Sequence, residues 1–198
     1  MIPSLLRLIA TFSWGGFYNY TTNKITNYKD SFNTHPTKVS RNIVSFTHSI
    51  TCSFISYLTL QTNLNPMILY YFSLSYFLWD TCLILYNKLN EIPYIYHHIV
   101  CSAALMNLYY GINQQEITTI FYYGEVSNIF NYVVYHLIKL NSTNKSKLLF
   151  FVKSIQVGWF SYFRVYIFTQ LMYNYFYLIE SKCLVYNLGI IYLMGLMW

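Results

Sequence analysis

Charged residues are scarce in this chain. Asp, Glu, Lys and Arg make up 9% of its 198 residues, whereas they make up about a quarter of an average soluble domain. Hydrophobic residues make up 56% of the chain. Water is therefore not expected to be its main solvent, and the composition favours a protein that lies within the lipid bilayer.

Linker segments, sequence repeats and metal-binding motifs are also missing. No Pro-, Gly- or Ser-rich stretch divides the chain, so we expect a single helical bundle. The cysteines lie in apolar segments and form no C-x-x-C pair, and the histidines form no H-x-x-x-H motif. We therefore expect no metal and no bound cofactor. The four cysteines are Cys52, Cys82, Cys101 and Cys183.

Seven apolar segments follow one another along the chain. Each is near the roughly 20 residues that a helix needs to cross the hydrocarbon core. The first segment is short and contains Arg7, so it is expected to be an uncleaved anchor or an interfacial helix. The sequence predicts an all-α membrane protein, a polytopic helical bundle of six to seven transmembrane helices. The segments are Ile2–Phe17, Ile43–Leu60, Pro66–Tyr86, Ile92–Tyr110, Ile117–Ile138, Leu148–Leu171 and Cys183–Trp198.

Basic residues are distributed unevenly between the two sides of these segments. The loops 18–42, 87–91 and 139–147 fall on one side and hold eight of the twelve Lys and Arg residues. The positive-inside rule predicts that these loops and the C-terminus lie in the cytosol. The loops also account for the net charge of +6 without a dense basic run, so no nucleic-acid partner is expected. A glycan on Asn141 or Asn144 would contradict this orientation.

Ionisable side chains recur at helical spacing inside the segments. Such a group costs at least roughly 2.5–3.5 kcal/mol at the bilayer centre, so it is expected to face the bundle interior. Asp80 and the pair His97 and His98 lie about two turns from the cytosolic ends of their segments, which predicts a common depth. Glu125 and Asn128 share one face of the fifth segment. These side chains therefore predict one convergent polar site.

The sixth segment carries three further polar residues, Lys153, Gln156 and Arg164. Arg164 is expected to pair with a carboxylate such as that of Glu125, because an unpaired guanidinium at that depth is costly. Gln156 is expected to join helices by a hydrogen bond. The predicted lipid-binding or polar interior site consists of His48, Asp80, His97, His98, Glu125, Asn128 and Arg164.

The order of these residues resembles the TLC domain family over roughly residues 38–198. The resemblance implies a TLC-like transmembrane domain at 38–198 that follows an N-terminal hydrophobic segment and basic loop at 1–37. The family includes ceramide synthases, translocon-associated proteins and small TLC-domain proteins. The matching segments are RNIVSFTHS (Arg41, Ser45, His48), YFLWDTCLIL (Asp80), YHHIV (His97, His98), GEVSNIF (Glu125, Asn128), FRVY (Arg164) and the closing Trp198.

The resemblance implies two different uses of the paired histidine. In ceramide synthases this pair contributes to transfer of an acyl group from acyl-CoA to a sphingoid base, so His97, His98 and Asp80 would be catalytic in such an enzyme. The synthase pattern H-D-x-x-D is replaced by GEVSN at 124–128, which is closer to the small TLC-domain proteins.

The favoured hypothesis is a non-catalytic protein of the endoplasmic reticulum or another internal membrane. It would bind acyl chains or sphingolipid-type lipids and influence membrane lipid composition. The alternative is an acyl-CoA-dependent N-acyltransferase with acyl-CoA as co-substrate, and a third hypothesis is a cargo receptor or translocon-associated protein. Membrane lipids are the expected partners.

Overall fold

A computed structural model describes most of the chain. The described residues are 2–28, 31–32, 34–62, 64–87, 89, 91–140, 145–178 and 182–196. Several residues used above to predict orientation or family lie outside these ranges. They are Lys29, Lys88, Asn141, Asn144 and Trp198, and the side chains of Arg7 and Lys145 lie outside them as well.

The described chain is built from helices and contains no β-strand, which confirms the all-α class. A π-helical segment joins α6 and α7 without a break. These three ranges therefore form one continuous helix, and the described chain contains seven such continuous helices. The helices are α1 (Ile2–Thr26), α2 (Pro36–Gln61), α3 (Met67–Tyr86), α4 (Ile92–Tyr109), α5 (Gln114–Lys139), α6 (Lys145–Phe160), the π-helical segment (Ser161–Ile167), α7 (Phe168–Leu178) and α8 (Lys182–Leu196).

The predicted basic loop 18–42 is largely helical. Helix α1 continues to Thr26, and α2 begins at Pro36. His35 caps α2, since its side chain accepts a hydrogen bond from the Thr37 backbone N–H (3.4 Å), and Pro36 suits the first helical turn. Hydropathy marks the end of the apolar residues, but helical hydrogen bonding continues into the polar residues that follow.

Helix α3 lies at the centre of the bundle and packs against α1, α2 and α4. Leu69 and Tyr70 of α3 are fully buried. Trp14 of α1 donates its indole N–H to the Ser75 hydroxyl (3.2 Å), and its ring contacts the Tyr76 ring edge-on. The first apolar segment is therefore part of the core, while the domain boundary between residues 37 and 38 stays a prediction.

Two of the described helices, α2 and α3, are long and apolar enough to cross a membrane. This criterion rests on length and composition, which the core helix of a soluble protein can also satisfy. The six to seven spans expected from the sequence therefore stay a prediction.

Helices α2 and α5 approach each other through small side chains. Ser49 of α2 is fully buried, and its hydroxyl donates to the backbone carbonyl of Glu125 on α5 (2.8 Å). A bond from a serine side chain to the backbone of another helix requires the two backbones to lie close together. Small residues at a helix interface permit this approach.

The substitution Ser49→Leu tests this close contact. We expect it to lower the free energy of unfolding by about 1–3 kcal/mol, because a larger side chain must separate α2 from α5. Ser49→Ala should cost only about 0.6 kcal/mol, the typical value of one interhelical hydrogen bond. Thermal unfolding of the purified protein measures both. Ile50→Leu, at the exposed neighbouring position, is the control, and equal midpoints for the two leucine variants would contradict close packing.

Candidate functional site

A cavity of about 690 Å³ opens among the helices. Its wall is formed mainly by polar faces of α2, α3, α4 and α5. All seven residues predicted for the polar interior site contribute to this wall, although they come from five separate parts of the chain. They are His48, Asp80, His97, His98, Glu125, Asn128 and Arg164. The structure thus brings them together, and their function stays a prediction.

An ion-pair network lies at the more exposed end of the cavity. We call this end the mouth; Lys38, Arg41, Glu91 and Lys139 line it. The Arg41 guanidinium donates to both carboxylate oxygens of Asp80, from Nε to Oδ1 (2.6 Å) and from Nη2 to Oδ2 (2.8 Å). Its Nη1 donates to Glu91 Oε2 (2.5 Å), and its plane lies over the Tyr94 ring. Because Asp80 is only 1% exposed, this two-point pair is the main compensation for its buried charge.

Arg41 was not predicted as a site residue, because the sequence placed it in a cytosolic loop. It lies instead in the second turn of α2, facing the cavity. The burial of Asp80 was the signal that could have identified it, since a buried carboxylate requires a cation or several hydrogen-bond donors nearby. Arg41 is the described arginine that meets this requirement.

Each of the two ring nitrogens of His98 has a polar neighbour. Its Nδ1 lies 3.0 Å from the Thr81 hydroxyl, and its Nε2 lies 3.6 Å from Asp80 Oδ2. The ring is buried. The common depth predicted for Asp80 and the histidine pair is therefore observed, and the contact of Asp80 is with His98.

His97 has a different environment. Its ring nitrogens lie 3.6 and 3.8 Å from the sulfur of Cys101, one turn later on α4, and thiol sulfur is a weak hydrogen-bond partner. Its ring also contacts those of Phe77 and His98 edge-on or tilted. His97 therefore lines the cavity without a strong polar partner among the described residues, so its nitrogens are available to a ligand.

His48 and Glu125 form the inner part of the wall. The His48 ring is fully buried and stacks on the Tyr76 ring at a centroid distance of 3.9 Å. Its Nε2 lies 3.2 Å from the Ser73 hydroxyl, and its Nδ1 lies 3.8 Å from Glu125 Oε1. This last distance exceeds the usual length of a hydrogen bond. A base and a carboxylate therefore face each other without a direct bond.

The predicted ion pair between Arg164 and Glu125 is wrong. No carboxylate oxygen of the described residues lies within 4.0 Å of the Arg164 guanidinium. Its Nη1 donates to the Ser127 hydroxyl (3.3 Å) and the Gly124 carbonyl (3.5 Å), and the group lies over the Phe168 ring. The prediction relied on the cost of an unpaired guanidinium, and these hydrogen bonds and the ring contact partly offset that cost without a carboxylate.

The other two polar residues of the sixth segment lie away from the cavity. Lys153 is exposed, which contradicts the prediction of an interior polar stripe there. The reason is that α6 packs mainly against α5, so much of its surface is uncovered. Gln156 donates to the Asn131 side-chain oxygen on α5 (2.7 Å), and this confirms its predicted role in joining helices.

The mouth of the cavity combines basic and aromatic side chains that sequence reasoning did not select. Lys38 and Lys139 line it together with Arg41, against the carboxylates of Asp80 and Glu91. Three cations therefore face two carboxylates. The mouth suits an anionic or strongly polar ligand group, and its aromatic side chains can cover an adjoining apolar part of the same ligand. The aromatic side chains are Tyr18, Tyr94, Tyr132 and Tyr135.

The chain matches no protein-family model, no curated protein and no solved structure.

A double-mutant cycle tests whether the mouth depends on the pair of Arg41 and Asp80. Arg41→Gln and Asp80→Asn should each destabilise the protein by about 3–5 kcal/mol, because each leaves one buried charge without its partner. The double variant should lose clearly less unfolding free energy than the two single variants lose together. Denaturant unfolding measures the three values, with Lys38→Gln as the exposed control at the same mouth. Additivity within about 0.5 kcal/mol would show that the two side chains act independently.

Proposed function

We propose that the chain is a polytopic membrane protein, of the type that the TLC resemblance implies, and that its cavity binds the polar head of an acyl-chain lipid. The observation that carries this proposal is the cavity itself. It connects a charged mouth with buried polar groups in the middle of a helical bundle, a position in which such groups are costly unless they serve a ligand. Binding of this kind would influence membrane lipid composition.

The outer surface of the bundle supports a lipid environment. Thirty-three large apolar or aromatic side chains are exposed in the described part of the chain, among them Phe12, Tyr86 and Phe150, each at least 75% exposed. Soluble monomers rarely expose extended apolar surface. Together with the small fraction of charged residues, this surface favours several membrane-spanning helices in addition to α2 and α3.

The position of the mouth supports access from the cytosol. Lys38 and Arg41 lie near the start of α2, and Lys139 ends α5. This is the basic end of the bundle, which the positive-inside rule assigns to the cytosol. In the proposed orientation, the cavity opens at the cytosolic face of the endoplasmic reticulum or another internal membrane.

The size and lining of the cavity favour a head group over a whole lipid. A volume of about 690 Å³ falls within the roughly 300–1,000 Å³ typical of small-molecule sites. Most of the lining side chains are polar or aromatic. The head group would therefore occupy the cavity, and the acyl chain would leave it toward the apolar surface of the bundle.

Lipid mass spectrometry of protein purified with its native lipid tests this proposal. We expect a lipid with a polar head to copurify, and Asn128→Leu to reduce its amount by about tenfold, the equivalent of 1.4 kcal/mol. Asn128 is half-buried in the cavity wall. Asn107→Leu, at a half-buried amide outside the cavity, is the matched control. An empty wild-type bundle that also fails to bind added lipid would refute the proposal.

The different surroundings of the two histidines favour an acyl-CoA-dependent N-acyltransferase as a second candidate. Asp80 and Thr81 hold His98, so His97 is the histidine available for chemistry. In this reaction the acyl carbon leaves the CoA sulfur and bonds to an amine nitrogen. His97 would accept the amine proton, which then passes to the departing thiolate.

Release of free CoA thiol from acyl-CoA in the presence of a long-chain base tests the enzyme hypothesis. His97→Gln should abolish turnover, whereas His98→Gln should retain a measurable fraction, because it removes a positioning contact. Mass spectrometry must also detect the N-acyl product. If the wild-type protein forms no product with any long-chain base, it is not such an enzyme, and the lipid-binding proposal is unaffected.

A further inference from the structure

Three side chains with metal-ligating atoms meet at the inner part of the cavity wall. The ligand atoms of His48, Cys52 and Glu125 all lie within 4.8 Å of one another. We propose that these residues bind one divalent metal ion, and that the ion is zinc. The sequence predicted no metal, because it contains no C-x-x-C pair and no H-x-x-x-H motif. His48 and Cys52 are instead one turn apart on α2, and the third ligand comes from α5.

The spacing of the ligand atoms suits an ion with tetrahedral coordination. Zinc bonds to nitrogen and oxygen are about 2.0–2.2 Å long and those to sulfur about 2.3 Å, so neighbouring ligand atoms lie roughly 3.3–3.6 Å apart. His48 Nδ1 and Glu125 Oε1 are 3.8 Å apart, which is long for a hydrogen bond and close to this ligand spacing. The ligand atoms lie within 4.8 Å of one another, so the more distant ones would have to approach by about 1 Å to reach this spacing.

The Ser73 hydroxyl supports two of the ligands at once. It lies 3.2 Å from His48 Nε2 and 3.3 Å from Cys52 Sγ. In the metal-bound form, the Ser73 oxygen accepts a hydrogen bond from Nε2–H, and the Ser73 hydroxyl donates one to the thiolate sulfur. The lone pair of Nδ1 is then directed toward Glu125. A hydrogen bond on the non-ligating nitrogen is the usual way in which proteins orient a metal-bound histidine.

The charges of the donors favour a divalent ion at this depth. A thiolate and a carboxylate together carry two negative charges, which one divalent ion neutralises. The side chain of Glu125 is only 12% exposed, and no lysine or arginine of the described residues lies within 4.0 Å of its carboxylate. A bound ion would therefore supply a counter-charge in direct contact with the carboxylate, which the described lysines and arginines do not.

The fourth coordination position faces the cavity. His48 and Glu125 line the cavity, whereas Cys52 is fully buried behind them. Three protein ligands with one open position are typical of zinc sites that bind a water molecule or a ligand oxygen. The metal site depends on these contacts alone and does not require the proposed lipid function.

Elemental analysis of protein purified without chelator tests the site. We expect about one zinc per chain, and we expect metal-depleted protein to take up one Co²⁺ with a thiolate-to-cobalt charge-transfer absorption. Cys52→Ser should lose this absorption and weaken zinc binding at least about tenfold. Cys101→Ser is the matched control, because Cys101 is also buried and also follows a histidine by four residues.

Two results would overturn the metal site. One is a wild-type protein that binds neither zinc nor cobalt after loading, and the other is Cys52→Ser binding metal as tightly as Cys101→Ser. If Cys52→Ser does not fold, the near-isosteric Glu125→Gln replaces it, with zinc-dependent thermal stabilisation as the readout. Lipid content is measured in the same samples, so loss of metal and loss of lipid can be distinguished.

Discussion

The pair formed by Arg41 and Asp80 determines the arrangement of the cavity mouth. Asp80 is buried in α3, and its charge requires a cation nearby. Arg41 supplies that cation from α2, and it also binds Glu91 at the start of α4. The same carboxylate lies beside His98 of α4. One ion-pair network therefore joins α2, α3 and the start of α4 at this end of the bundle.

The inner part of the cavity is organised differently. Arg164 is buried without a carboxylate within 4.0 Å among the described residues, and Glu125 is nearly buried without a cation at that distance. Their neighbours are instead serine hydroxyls, backbone carbonyls and aromatic rings. The negative charges of Asp80 and Glu91 at the mouth are thus compensated by Arg41. The charges of Arg164 and Glu125 in the interior have no such direct partner, so a ligand or an ion can compensate them. This contrast is the physical reason for placing the proposed metal ion at the inner part of the wall, whereas the proposed head group is placed at the mouth.

Helical periodicity predicted much of this site, because an α-helix has a fixed rise and a fixed rotation per residue. The common depth of Asp80 and His98 and the shared face of Glu125 and Asn128 follow from that regularity. The predicted ion pair of Arg164 was wrong, because it was inferred from the cost of a buried charge, and hydrogen bonds and an aromatic ring partly offset that cost here. The partnership of Arg41 with Asp80 joins positions 39 residues apart, and periodicity within one helix contains no information about such a contact.

The environment of Asp80 also favours binding over catalysis. Both carboxylate oxygens of Asp80 already accept charge-assisted hydrogen bonds from the Arg41 guanidinium. Its contacts with Arg41 and His98 therefore suit a positioning role. An acyl transfer would then depend on His97 without a carboxylate in direct contact to stabilise its charged form. Head-group binding requires no such stabilisation, since the donors and acceptors already present in the cavity wall are sufficient for it.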